Sequence, residues 1–393
     1  PIQFKLRWDK GNLANYYHLT HESLANGSAN CVQLNCAGNC VSANHKTIIN
    51  CNYKSIVEAL RFSEHSTIPR IPHTALKPFW NAKLDDLKSK SILWHNIWVD
   101  SGKPSTGLVY RIKTSCKLNY KLAIKNAFFE YENSLKDDLF DNLLKKDSES
   151  FWKCWSSKLR HTTPKGITVN GSSDDKIIAD AFAQHFQSVY CNSFDNAHAK
   201  SEFHNLFDTL EDTNPIDDLV TVQLVDSCIH KLKQGKASGL DDIYAEHLLN
   251  AHPILVVLLC RLFRDMLVHG YVPDDFGKGV IIPILKEKLG DSNDVSNYRG
   301  ITLIPVISKL FELVLLDICM PFLGSDDLQF GFKKGLGCSN AIFLFQETIE
   351  YFLSRGSSIF VAALDFQKAF DRTNFFKLFT SLIKSGLPRS VIN

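Results

Sequence analysis

GVIIPILKEKLGDSNDVSNYRGITL, residues 279–303, consists of two short apolar runs around a charged stretch. Both runs are rich in β-branched residues, which suit a pleated, half-buried surface. The Gly, Asp, Ser and Asn between them are turn formers. The spacing predicts two antiparallel strands, Gly279–Leu285 and Tyr298–Leu303. Outward of this hairpin the period changes to that of helices. Apolar residues recur at helical intervals over 222–232, 243–251, 253–269, 306–323, 339–354 and 374–385. The run Ile359-Phe360-Val361-Ala362-Ala363-Leu364 reads as a further buried strand. Residues 221–393 are therefore expected to form an α+β domain.

Upstream, residues 71–220 read as a mainly helical connector. Leu84, Leu87, Ile92, Trp94 and Trp98 lie at roughly helical spacing. Leu118, Leu122, Phe128, Phe129, Leu135 and Leu139 are expected to form a buried stripe, with Phe151, Trp152 and Trp155 as core aromatics. A helix is expected over 174–190, then an acidic linker over 195–218. Residues 1–70 look loop-rich apart from one helix between Trp8 and Leu24. Cys31, Cys36, Cys40, His45 and Cys51 cluster there, but their spacing matches none of the usual zinc frameworks, so they read as thiols.

Composition bounds the rest. The chain has 393 residues, 45% hydrophobic and 22% charged, which excludes disordered, collagen-like and disulfide-miniprotein classes. Its net charge is +2, unevenly placed. Residues 70–165 hold 18 Lys/Arg against 10 Asp/Glu, and residues 171–230 hold 2 against 11. A basic segment beside an acidic one points to a polyanion-facing surface. No apolar stretch is long enough for a membrane span, so no membrane partner is expected. Eleven cysteines, an odd number, suit reduced thiols in an intracellular protein of nucleus or cytoplasm. The chain begins at Pro1 and holds two Met, which suggests a processed chain or one cut from something longer.

Chemistry is concentrated in Ala363-Leu364-Asp365-Phe366-Gln367-Lys368-Ala369-Phe370-Asp371. A strand ending at a carboxylate, with a second carboxylate opening the next helix, would project both into a groove where Mg²⁺ and substrate phosphates could meet. By itself the spacing is equally that of a helix N-cap.

Other segments stand in a telling order. Lys236-Ala-Ser-Gly239-Leu-Asp241-Asp242 is followed by Pro283-Ile284-Leu285-Lys286 and Asn297-Tyr298-Arg299-Gly300-Ile301-Thr302-Leu303. Then come Ser308-Lys309 with Phe311-Glu312, Gln329-Phe330-Gly331-Phe332 with Gly335 and Gly337-Cys338-Ser339, and Asp365 to Asp371. In this order they resemble the reverse transcriptases of non-LTR (LINE-type) retrotransposons. The basic stretch from Lys77-Pro78-Phe79-Trp80 and the Phe151-Trp152 cluster resemble, more softly, the region upstream of that polymerase.

The resemblance implies an RNA-directed DNA polymerase fragment: a loop-rich segment (1–70), a helical connector (71–220), and fingers with the start of the palm (221–393). It implies Asp365 as catalytic metal ligand, helped by the carbonyl of Phe366, with Mg²⁺ as cofactor. Phe370 would lie under the sugar of the incoming dNTP and Asp371 would brace that loop. Lys286 and Arg299 would hold the triphosphate, with Lys288 as a competitor for the Lys286 role. Lys236, Gly239, Asp241, Gln329 and Gly331 would lie on the template side. RNA template, DNA primer and dNTP are the implied partners.

Two departures matter. Gly300 stands where the family usually has Pro, which would loosen the second fingers strand. No aromatic-x-Asp-Asp hairpin follows Asp371, so the metal site is incomplete and the chain alone is expected not to polymerise DNA. The alternative is a non-catalytic nucleic-acid-binding retroelement remnant. The strand over 359–364 would then have an unpaired edge, and the last ~40 residues would be poorly ordered or mispaired.

Overall fold

A computed structural model describes residues 4–28, 43–72, 79–159, 168–190, 197–210, 216–286, 291–366, 369–370 and 372–393. The elements in chain order are β1 (Phe4–Leu6), α1 (Leu13–Ser28), α2 (Ala43–Thr67), β2 (Arg70–Pro72), α3 (Ala82–Asp100), α4 (Leu108–Leu144) and α5 (Ser148–Leu159). There follow α6 (Asp175–Tyr190), α7 (Ala197–Asp208), α8 (Ile216–Leu219), α9 (Val222–His230), α10 (Ala245–Leu249) and α11 (Ile254–His269). The hairpin strands β3 (Val280–Leu285) and β4 (Tyr298–Leu303) come next, then α12 (Val306–Cys319), α13 (Cys338–Leu353), α14 (Phe375–Lys384) and α15 (Arg389–Ile392). The fold is mixed α and β and mainly helical, as expected.

The chain divides into two units: Pro1–Arg7 with Arg70–Gly166, and Trp8–Pro69 with Ile167–Asn393. In the first unit β1 and β2 pair antiparallel, Lys5 opposite Ile71, and α3 packs along α4. The Asn81 side chain caps α3 by accepting from the Leu84 amide at 3.0 Å. Phe79 meets Phe128 edge-on at 5.4 Å. The expected buried stripe of α4 is largely open. Leu118, Leu122, Phe128 and Phe129 are exposed, as are Trp152 and Trp155 of α5. Among the described residues α4 packs on α3 and α5, which leave these side chains open.

The second unit is built on α11. Eleven of its 16 residues are buried, so it lies inside a layer made by α1, α2, α8, α9 and α15. Leu24, Ile49, Tyr53, Leu60, Val225, Ile229, Leu259, Phe263, Ile307, Leu310 and Val314 share one core. The described residues 8–28 and 43–69 are thus mainly helical and part of this core rather than loop-rich. Ile49, Tyr53, Ile56 and Leu60 recur at helical spacing and are all buried. His45 and Cys51 lie on α2, whereas Cys31, Cys36 and Cys40 lie outside the described residues.

β3 and β4 pair antiparallel, Val280 opposite Leu303 through Leu285 opposite Tyr298, within a residue of the sequence expectation. A second cluster, Val169, Phe182, Phe186 and Tyr298, fastens α6 to this hairpin. The acidic stretch expected to be a linker holds α7, which packs on α14. Phe203 sits 5.8 Å from Phe376, and Lys384 reaches Glu202 at 2.9 Å. The end of the chain is accordingly packed, with Thr380, Ile383, Leu387 and Ser390 buried.

The expected strand over 359–364 is a correction. Residues 357–366 form no strand, and Phe360 and Leu364 are 96% and 88% exposed. A strand exists only through its ladder partners, and among the described residues none pairs with this segment.

Candidate functional site

The hairpin sorts its side chains by the two-residue period of a strand. Ile281, Pro283 and Tyr298 turn toward α6. Tyr298 packs edge-on against Phe182 at 4.8 Å, and its hydroxyl donates to the Ser292 carbonyl at 2.9 Å. Gly300 lies beneath Phe186: a Cβ there would stand 3.0 Å from that ring and 3.1 Å from Ile281. Its missing side chain lets α6 seat closely, so this glycine tightens the hairpin's support rather than loosening the strand. On the opposite face Ile282, Ile284 and Ile301 are exposed. Arg299, opposite Ile284, is the charge on that face.

An open groove of about 980 Å³ runs beside the hairpin. It is lined by Lys286, Arg299, Asp365, Phe366 and Phe370, together with His185 and Phe186 of α6, Ser296 and Asn297. Five sequence-derived candidates therefore meet in one place. The Lys286 backbone N–H donates to the Asn297 carbonyl at 2.8 Å, and its ammonium donates to the Ser296 carbonyl at 2.8 Å. The lysine is so held at the closing end of the hairpin. Among the described residues Arg299 has no carboxylate within ion-pair distance and no side-chain hydrogen bond. Asp294, at the turn, is held below the usual carboxylate range by the hydroxyl and amide of Ser296. Phe366 and Phe370 are 80% and 77% exposed, and Phe332 approaches Phe370 edge-on at 6.2 Å. Asp371 and Lys288 lie outside the described residues.

The remaining candidates do not line this groove. Lys236 is exposed. Gly239 is buried with its Cα against the backbone of Ile304 and Pro305. Asp241 accepts from the Tyr53 hydroxyl at 3.2 Å and the Ile243 amide at 3.3 Å, and burial pushes its carboxyl up. Gln329 donates to the Gly331 carbonyl at 3.2 Å on an exposed loop. Sequence reasoning missed α6 as a wall of the groove. The signal was Phe182 and Phe186, one helical turn apart in a helix assigned to the connector.

No family model matches the chain. Over 163 residues it is 26% identical to a putative 115 kDa protein in type-1 retrotransposable element R1DM of Drosophila melanogaster, covering 41% of this chain and 16% of that protein. Over 273 residues it is 26% identical to an RNA-directed DNA polymerase from mobile element jockey of Drosophila funebris, covering 63% of this chain and 29% of the relative. These similarities support a non-LTR retroelement protein. The matches span less than a third of each relative's length.

The groove's donor set bears on a metal. Asp365 is the one carboxylate among its described lining residues. No group of three His, Cys, Asp or Glu side chains among the described residues could hold an ion. A two-metal centre needs several carboxylates in fixed geometry, and these donors do not fit one. No helix of the described residues is long and apolar enough to cross a membrane.

Proposed function

We propose that this chain carries the fingers and the start of the palm of a non-LTR retroelement RNA-directed DNA polymerase, and that its groove receives an incoming dNTP. The observation that supports this is convergence. Lys286 and Arg299 come from the hairpin, Asp365, Phe366 and Phe370 from well downstream, and all line one groove. Arg299 would bind phosphate oxygens in bidentate fashion and Lys286 would add a point charge. The Phe370 ring would lie beneath the sugar, where a 2′-hydroxyl would collide with it. Template RNA and primer DNA are the implied partners. Lys236 and Gln329 are exposed toward solvent for a template, while Gly239, Asp241 and Gly331 would shape the loops that present them.

Arg299→Ala is expected to weaken binding of a fluorescent dNTP analogue by roughly tenfold or more, the scale of one charge-assisted hydrogen-bond pair. The same fluorophore on a nucleoside without phosphates should bind parent and variant alike. Equal triphosphate binding by parent and variant would rule out this role for the groove.

A single carboxylate among the described groove residues favours, for these 393 residues taken alone, the non-catalytic nucleic-acid-binding alternative. Primer extension on poly(rA)/oligo(dT) with Mg²⁺ or Mn²⁺ is expected to stay at background. Sustained extension by the purified chain would overturn that expectation.

A further inference from the structure

The basic excess of the first unit is not spread evenly. Residues 101–129 contain Lys103, Arg111, Lys113, Lys117, Lys121 and Lys125 and no Asp or Glu. Lys113, Lys117, Lys121 and Lys125 follow one another at intervals of four along α4. On a helix such residues are neighbours on one slowly winding strip, about 18 Å long at 1.5 Å per residue. Lys117, Lys121 and Lys125 are exposed. None of the four has a carboxylate within ion-pair distance among the described residues, unlike Lys90 on α3, which holds Asp86 at 2.7 Å. Lys113 instead places its ammonium 3.9 Å from the centre of the Trp98 ring.

Like charges four apart repel on a helix surface, and this strip repeats that arrangement three times. Further along, the sequence does the reverse: Glu132 precedes Lys136 within α4 and Asp141 precedes Lys145 at its C-terminal cap, each by four. In sequence, one stretch of this helix thus sets carboxylates among its lysines and the other sets none.

We propose that the Lys113–Lys117–Lys121–Lys125 strip of α4 is a second nucleic-acid contact, which tracks a phosphodiester backbone without reading sequence. It rests on the polymerase reading for the class of ligand, but lies wholly outside the groove. At ~3.4 Å of axial rise per nucleotide, the strip faces about five phosphates of one strand. An anionic membrane is the weaker partner, because the apolar residues of α4 are spread around the helix rather than gathered opposite the lysines.

The test is fluorescence anisotropy of the full chain with a labelled 20-nucleotide RNA and with the same RNA paired to DNA, from 50 to 200 mM salt. The triple variant Lys117→Gln, Lys121→Gln, Lys125→Gln is expected to bind at least tenfold more weakly at 100 mM salt. The slope of log K on log salt should shrink by about 2 to 3, at 0.7–0.9 per lost contact. The arm that loses more, single strand or hybrid, identifies the form bound. Lys136→Gln, Lys145→Gln, Lys146→Gln removes the same charge from the C-terminal part of α4 and the turn just past it, and should change affinity less than twofold. Arginine at 117, 121 and 125 should preserve binding, which separates lost charge from lost fold. Equal losses in the two glutamine triples, an unchanged slope in the first, or strip-dependent binding to phosphatidylserine vesicles instead of RNA would overturn the proposal. Binding of the fluorescent dNTP analogue should be the same in the parent and in the Lys117→Gln, Lys121→Gln, Lys125→Gln triple, so failure of the strip and failure of the groove are read separately.

Discussion

Gly239→Ala is expected to destabilise the chain by about 3 kcal/mol, the upper part of the range for overpacking a buried site. A Cβ at this position would stand 2.6 Å from the Pro305 nitrogen and 2.7 Å from the Ile304 carbonyl carbon. These are backbone atoms at the root of α12, whose Ile307, Leu310 and Val314 are wholly buried. Neither side can give way cheaply. The residue beyond them, Asp241, is tied to Tyr53 of α2, so displacing the loop also strains its hold on a second core helix. Urea denaturation should show a lower midpoint with an unchanged slope. Gly331→Ala is the contrasting case: nothing lies within 4 Å of a Cβ there, and stability should change by less than about 0.5 kcal/mol. The family resemblance puts both glycines on the template side, and a large effect at one with none at the other would separate packing from ligand contact.

The second large effect is a pH dependence centred on Asp265. This carboxyl sits about one turn before the end of α11, 8% exposed, and its Oδ2 has no hydrogen-bond partner among the described residues. Burial pushes it up to about 6, against partial relief from Arg261 and His45. Between pH 4 and pH 6 the folded chain keeps a proton here that the unfolded chain has lost. Each rise in pH across that window therefore favours unfolding. The stability present below pH 4 falls by about 3 kcal/mol by the time the folded carboxyl has ionised, at 1.36 kcal/mol per pKa unit. Asp265→Asn removes the ionisation. The variant should be more stable than the parent at pH 7 and nearly equal to it at pH 4, as measured by urea midpoints at both values. Equal pH profiles for parent and variant would show that Asp265 is solvated in a way its burial does not suggest.

Much of the second unit was legible because its signals are local. β3 and β4 declare themselves by β-branched runs around a charged turn, and α11, α12 and α14 by apolar residues three and four apart. Each lies within a few residues of its expected bounds. The convergence of Lys286, Arg299 and Asp365 was legible only through motif order, since no local rule brings residues so far apart together. Three features were misread, for three physical reasons. α2 is rich in Asn, His and Ser, poor helix formers, yet its buried Ile49–Tyr53–Ile56–Leu60 stripe outweighs that composition. Residues 359–364 have every local property of a strand, but strand formation is a property of pairs. The apolar residues of α4 lie at helical spacing, but spacing says nothing of whether a neighbour is present to cover them. The role of α6 was hidden for a related reason, because the cradle at Gly300 that receives Phe186 shows only once both are in place.

The way α1 and α2 are completed has a consequence for how this protein is made. The Tyr16 hydroxyl donates to the His247 carbonyl, 231 residues later in the chain, and α2 finds its cover on α11. At roughly 5–20 residues per second, a ribosome delivers that cover on the order of 10–50 s after the first helices emerge. Throughout that interval α2, with its buried Ile49, Tyr53, Ile56 and Leu60, has α1 against it but not α11, while Arg70–Gly166 of the first unit is made. The α1–α2 pair therefore stands with one face open until α11 arrives. Translation speed across residues 70–250 therefore sets how long that face stays open.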